Sequence, residues 1–223
     1  MFPSFELVMF DLDGTLIATA PEICDAVNDT LVQFGMQEVS QSQVDAWIGH
    51  GTRELLLQAV SLRQEIPVQE LRGSRNFAEM NTAFDRHYLS RCGTRSELYP
   101  KVRETLATLR NRGVKIAVVT NKEYRYTQTV LDAHRITPMV DMVVSGDTLP
   151  TKKPDPAGVA HCLQKFRIRP DRALFVGDSR IDVTTARNAG VRVWALPYGY
   201  NMGEPIHAAQ PDRVIADFSA LTE

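Results

Sequence analysis

The chain has 223 residues, 43% hydrophobic and 23% charged, which suits one core with a sizeable insertion and is cramped for two equal, independent domains. That composition excludes disorder for most of the chain, and a formal net charge of -2 leaves no basic field to hold a nucleic acid. The longest apolar runs, such as Lys115 to Val119 and Ala173 to Val176, are far too short to span a membrane.

Cys24, Cys92 and Cys162 are odd in number and widely spaced, which fits neither a disulfide framework nor a zinc site. Reduced thiols in a cytoplasmic protein are the expectation. The opening run MFPSFELVMFDLDG has acidic residues inside its apolar stretch, no basic flank and no small-residue cleavage site. It therefore reads as a strand of the mature fold, centred on Leu7 to Phe10, and not as a signal peptide.

From about Pro21 to about Leu89 strand signals vanish. Ile23, Val27, Leu31 and Phe34, then Leu55, Leu56 and Val60, then Phe77, Met80 and Phe84 recur at helical intervals, with Gly73 and Ser74 as a loop among them. Beyond this stretch, short β-rich runs alternate with helix-period segments. Val102, Leu106 and Leu109 predict a helix closed by Gly113; Lys115 to Val119 predicts a strand leading into Thr120-Asn121. Met142 to Val144 leads into Ser145-Gly146-Asp147, Pro156 to Phe166 is a helix, and Leu174 to Val176 leads into Gly177-Asp178. A helix from Ser179 to Gly190 and strands at Val191 to Leu196 and Val214-Ile215 complete the chain.

The alternation predicts an α/β fold with a parallel sheet flanked by helices, its core over residues 1–18 and 92–223 and an α-helical insertion over 19–91. Polar residues gather at the carboxyl ends of the predicted strands, the edge where open α/β sheets bind ligands.

Asp11 and Asp13 stand two positions apart where the first strand meets a glycine turn, so an extended backbone would project both carboxylates the same way. Such a pair can act as nucleophile and general acid/base, or bind a divalent cation; alone it reads equally well as an aspartate-rich turn. Asp178 follows a strand and Asp182 lies one helical turn on, which is also ordinary helix-capping chemistry. Two carboxylate pairs at equivalent strand ends form an oxygen-rich site of the kind that holds Mg2+. Thr120-Asn121 and Lys152-Lys153 add hydrogen-bond donors and positive charge suited to phosphoryl oxygens, although each alone is more often a cap or a solvated turn.

In this order the residues resemble the four motifs of the haloacid dehalogenase superfamily: Asp11 to Thr15, Thr120, Lys153, and Gly177-Asp178 with Asp182. The resemblance implies a Rossmann-like core with the helical insertion as its cap. Dehalogenases of the superfamily lack the second aspartate of the first motif, so Asp13 points to phosphoryl transfer. It narrows to the bacterial phosphoglycolate phosphatases on Tyr99 to Leu106, Val119 to Lys122, Gly146 to Leu149 with Lys152 to Pro156, Pro197 to Asn201 and Gly203 to Ile206. Trp47 to Leu55 resembles their substrate-facing turn, whereas Ile17-Ala18-Thr19 departs from their usual Val-Asp-Ser.

The resemblance implies a Mg2+-dependent phosphomonoester hydrolase acting on a small phosphorylated metabolite, 2-phosphoglycolate first. Asp11 is then the nucleophile and Asp13 the acid/base; Asp11, the main-chain carbonyl of Asp13 and Asp178 hold the metal. Thr120, the Asn121 amide and Lys153 bind phosphoryl oxygens, and Asp182 orients metal-bound water or Lys153. In the Gly49 to Arg53 turn, Gly51 allows close backbone approach to the substrate, while His50 and Arg53 are candidate partners for its carboxylate; a solvent-facing Arg53 at a helix start is the competing reading. Another sugar-phosphate or amino-sugar-phosphate phosphatase and a β-phosphoglucomutase-like phosphomutase keep the same four motifs; a non-catalytic regulator that binds a phosphorylated metabolite is the alternative of a different class, and the intact Asp11, Asp13, Lys153 and Asp178 speak against it, while monomer and homodimer stay open.

Overall fold

Strand β1 (Leu7–Phe10) is buried at all four positions, as expected of a strand covered on both faces of its sheet. Val8 and Phe10 face one apolar core, Leu7 and Met9 the other. The computed structural model describes residues 5–223. Met1 to Ser4, the start of the opening run, lie outside the described residues.

After β1 comes the short strand β2 (Ile17–Ala18), then five helices: α1 (Ala20–Gln33), α2 (Gln41–Trp47), α3 (Thr52–Gln64), α4 (Val68–Leu71) and α5 (Arg75–Arg91). The chain returns through β3 (Glu97–Leu98), which pairs antiparallel with β2, so both connections of the helical segment run through one small ribbon. Two-residue strands are too short to carry a period, and the sequence offers no signal for them. Ser40 opens α2 with a reciprocal capping box to Gln43, and Ser74 caps α5 through the Phe77 amide. Gly73-Ser74 is therefore a helix start as well as a loop. Helices α1 and α5 bury Ile23, Val27 and Leu31 with Phe77, Met80, Phe84 and Tyr88.

The rest alternates as the sequence predicts. Helix α6 (Val102–Asn111) ends at Gly113, whose φ of 75° suits glycine, and leads into β4 (Lys115–Val119). Helix α7 (Tyr124–Ala133) has no counterpart in the sequence reading, because Tyr126 and Thr127 share its buried face with Val130 and Leu131 and blur the apolar period. There follow β5 (Met142–Val144), α8 (Ala157–Phe166), β6 (Ala173–Gly177), α9 (Arg180–Asn188), β7 (Arg192–Ala195) and β8 (Arg213–Val214).

The six-stranded sheet has the order β5-β4-β1-β6-β7-β8, and every pairing in it is parallel. Successive crossovers run outward to one side of β1 and then to the other. β1 thus marks the point where the winding reverses, and its carboxyl end opens into the crevice where such sheets take ligands. Register aligns Phe10 with Val118 of β4 and Val176 of β6, so the residues that follow these three strands emerge side by side. Among the described residues, no helix is long and apolar enough to cross a membrane.

Candidate active site

Asp11 is the first residue past β1, and its amide bonds the Val176 carbonyl at 3.0 Å, which carries the strand geometry one position beyond the sheet ladder. The turn that follows depends on Gly14, with φ 84°: a Cβ there would collide with the Asp178 carboxylate. Gly199 meets the same carboxylate from the other side and a Cβ on it would collide as well. Asp178 is thus wedged between two glycines. Its Oδ1 accepts a hydrogen bond from Thr15 Oγ1, and its Oδ2 accepts one from the Tyr200 amide at 2.5 Å.

Lys153 is buried with its Nζ 2.8 Å from Asp11 Oδ1 and 2.7 Å from Asp182 Oδ1. The other oxygen of Asp182 accepts bonds from the Asp178 amide at 3.1 Å, the Ser179 amide at 3.0 Å and Ser179 Oγ at 2.8 Å. With both oxygens engaged, Asp182 closes the capping box of α9, whose N-cap is Ser179, and is the counter-charge that points Lys153 at Asp11. Asn121 holds the backbone of Lys153 from both sides: its Oδ1 accepts from Lys153 N at 2.9 Å and its Nδ2 donates to Lys153 O at 3.0 Å. Nδ2 also reaches Gly49 O in the helical segment at 2.9 Å. Thr120 is buried beside them at the end of β4, with Oγ1 accepting from the Lys122 amide.

Oxygens of Asp11, Asp178 and Asp182 all lie within 4.8 Å of one another. Burial pushes the Asp11 carboxyl up to about 6, with Lys153 pulling the other way. Burial, with Asp182 and Asp11 nearby, pushes Asp178 well above the carboxylate range. Burial opposes the Lys153 charge, yet Asp11 and Asp182 hold its pKa above the ordinary lysine value. Although Asp11 Oδ1 lies close to Lys153, it takes no well-aligned hydrogen bond. A crowded set of hard oxygens with one ammonium to offset it is short of positive charge. The carboxylates of Asp11 and Asp178 fit a divalent cation of the magnesium type.

Asp13 turns toward a different set of partners. Its Oδ1 accepts from Thr19 Oγ1 at 2.6 Å and from the buried Lys122 Nζ at 2.8 Å. Sequence reading gave Lys122 no role. A lysine straight after a strand-end turn is ordinarily solvated, and only its burial marks it.

A pocket opens between this edge and the helical segment, floored by Asp11, Asp13 and Asp178 and roofed by Ile48, Gly51 and Leu55. Gly51 has φ 96°, and a Cβ there would come within 3.1 Å of Asn121 O and of Lys152 Nζ. Thr52 ties the roof to the core through Oγ1 to Glu123 Oε2 at 2.7 Å. The two side chains expected to meet a substrate carboxylate are not brought to this pocket. Arg53, in the first turn of α3, points outward: its guanidinium donates to Arg72 O at 3.0 Å and lies 5.6 Å from the Phe77 ring centre. His50 is exposed and faces a separate surface groove with Trp47, Glu54 and Met202. Residues 50 and 53 straddle the start of α3, and the direction of the helix sends both away from the roof.

Proteins similar to this chain in sequence and in fold are numerous. A phosphoglycolate phosphatase of Mannheimia succiniciproducens is 38% identical over 221 residues, covering 99% of this chain and 98% of its own length. One from Pseudomonas putida is 40% identical over 217 residues, 96% of this chain and 78% of its own. The crystal structure of a predicted phosphoglycolate phosphatase from Haemophilus somnus 129pt superposes with a TM-score of 0.91 at 33% identity, over all of this chain and 98% of that one. The family model for the haloacid dehalogenase-like hydrolases matches residues 8–196, which takes in Asp11, Asp13, Thr120, Lys153, Asp178 and Asp182, and the chain belongs to that family.

Proposed function

We propose that the protein is a cytoplasmic phosphomonoester hydrolase whose substrate is a small carboxylated phosphate, 2-phosphoglycolate first among them. The observation that carries the reading is the meeting of Asp11 and Asp178 at neighbouring strand ends, with the buried Lys153 paired to Asp11, beneath the roof of the pocket, in a chain whose relatives are named phosphoglycolate phosphatases. Residues 19–91 form the cap over a core of 1–18 and 92–223.

Asp11 attacks phosphorus to give an aspartyl phosphate, which splits one hard displacement into two easier ones. Its unaligned Oδ1 beside Lys153 leaves the carboxylate free to swing onto an incoming phosphoryl group. Asp13 gives a proton to the departing alkoxide and later takes one from the water that hydrolyses the intermediate. Thr120, the Asn121 amide and Lys153 hold the phosphoryl oxygens, with Asp182 aiming Lys153. Asp11, the Asp13 carbonyl and Asp178 would hold magnesium, which supplies positive charge that lets a carboxylate approach an anion. The backbone of the Gly49 to Thr52 turn, and not His50 or Arg53, presents the surface that a short carboxylated substrate meets.

The test is a panel of phosphate esters assayed with magnesium. Highest kcat/KM on 2-phosphoglycolate supports the reading; comparable or higher values on hexose phosphates overturn the substrate, and no turnover of any ester, an aryl phosphate included, overturns the reaction.

A further inference from the structure

Lys122 is completely buried, a position a lysine occupies only with partners to match its charge. It has three. Nζ pairs with Asp13 Oδ1 at 2.8 Å, donates to the Tyr88 hydroxyl, and lies 4.9 Å from the centre of the Tyr88 ring. Glu22, also buried, lies close enough to feel the charge. Burial opposes ionisation of Lys122, but Asp13, Cys92 and Glu22 keep its pKa above the ordinary lysine value, so the ammonium is charged.

The partners come from both parts of the fold. Lys122 follows β4 and Asp13 follows β1, whereas Tyr88 belongs to α5 and Glu22 to α1. Glu22 Oε2 also accepts from the Gly93 amide at 2.8 Å and the Ser96 amide at 3.2 Å, on the stretch by which the helical segment returns to the sheet. The Tyr88 ring is clamped between Phe84 and Tyr126, with ring centres 5.5 and 4.6 Å away. Asp13 thus has one oxygen fixed by Thr19 and Lys122, and among the described residues no side chain donates to the other, which belongs to a residue lining the pocket.

We infer that Lys122 is a positioning residue: it anchors Asp13 Oδ1 so that Oδ2 faces the ester oxygen, and Tyr88 braces the lysine from the helical segment, so that the aim of Asp13 depends on how that segment is seated. The inference rests on the reading of Asp13 as acid and base. In the first step the proton on Oδ2 passes to the alkoxide as the P–O bond breaks and the Asp11–P bond forms; in the second, Oδ2 regains a proton from the attacking water. Lys122 keeps its own protons throughout. Removing it leaves a carboxylate of the right kind that points the wrong way.

That defect has a signature that loss of packing does not. An alkyl leaving group needs the proton, and a nitrophenolate does not. For Lys122→Met, the rate of phosphoenzyme formation from 2-phosphoglycolate should fall on the order of 10²-fold with KM changed little. The single-turnover burst from 4-nitrophenyl phosphate should keep most of its rate. Tyr88→Phe, which retains the clamped ring and removes only the hydroxyl, should show the same imbalance at about tenfold. Asp13→Asn serves as the reference. If Asp13→Asn shows the imbalance and both Lys122→Met and Tyr88→Phe slow the two esters equally or not at all, the positioning role is overturned while Asp13 keeps its assignment. If Asp13→Asn itself shows no imbalance, the acid/base reading fails and the inference with it. Imbalance in Tyr88→Phe upholds the inference even where Lys122→Met does not fold.

Discussion

The sheet edge supplies the pocket with charge, and the helical segment supplies it with shape. At the edge, Asp13, Asp178, Asp182, Lys122 and Lys153 are each held by two or more partners, down to the individual oxygens of Asp182 and Asp178. The roof is made of Ile48, Leu55 and a glycine turn, and among the described residues it is tied to the core by two hydrogen bonds, Asn121 to Gly49 and Thr52 to Glu123. Apart from Asp11 Oδ1, the side chains at the edge are cross-braced, and such a network holds one geometry; a roof on two bonds can part from its floor at modest cost. Chemistry is therefore expected to fail sharply when the edge is altered and specificity to drift when the roof is.

The sharpest break should come from Asp11→Asn, with turnover falling on the order of 10⁴-fold or more and far-UV circular dichroism unchanged. Near wild-type hydrolysis would move the nucleophile elsewhere. Lys153→Met leaves Asp11, Asp178 and Asp182 crowded without their cation and should lose about 3–5 kcal/mol in urea unfolding, as well as activity. Stability equal to wild type would mean that the cluster is not charged in the folded state.

The raised Asp11 pKa sets a third expectation, for protein freed of metal by chelation. Below pH 3.8 Asp11 is protonated in both folded and unfolded chains; between 3.8 and about 6 the folded chain keeps a proton that the unfolded chain releases. Asp11 thus subtracts stability as pH rises through that window, and the loss is complete above it. Added magnesium should raise the melting temperature more at pH 7 than at pH 4.5. An equal shift at both would separate metal binding from these carboxylates.

Smaller effects belong to the roof. Thr52→Val removes one of its two ties and should lower kcat/KM by about three- to tenfold, through KM more than kcat. Arg53→Ala should stay within about twofold, because its guanidinium is spent on Arg72 O and the Phe77 face. A tenfold loss confined to a carboxylated substrate would mean that Arg53 swings into the pocket when substrate binds.

The same contrast explains what could be read from the residues alone. Strand ends fix side-chain direction within a residue or two, so Asp11, Thr120 and Asp178 could be grouped from the alternation and the motifs that follow it, and the register of β4, β1 and β6 places them side by side. At the start of α3 a shift of one residue turns a side chain by about 100°, and a sequence that offers His50, Thr52 and Arg53 does not say which faces inward. Lys122 was hidden for another reason. Its burial comes from Tyr88 and Glu22, which are distant in sequence and have no motif of their own. The β2–β3 ribbon and α7 escaped because one is too short and the other too polar on its buried face to show a period.

The place of β1 in the middle of the sheet has a consequence for biosynthesis. Its two neighbours, β4 and β6, lie more than a hundred residues further along the chain, and the Tyr200 amide that holds Asp178 comes later still. The strand that carries Asp11 leaves the ribosome long before either neighbour and has no partner in its sheet until they follow. Four apolar residues must wait unpaired, which is the circumstance that invites association with other nascent chains and recruits chaperones. The helices between β2 and β3 are emerging during that wait, and they pack mainly on one another, α1 against α5 above all, so they can fold before the sheet is complete. Ribosome-stalled chains cut just after Arg91 should already be helical, while the pocket should first form only once the Tyr198–Asn201 loop clears the exit tunnel.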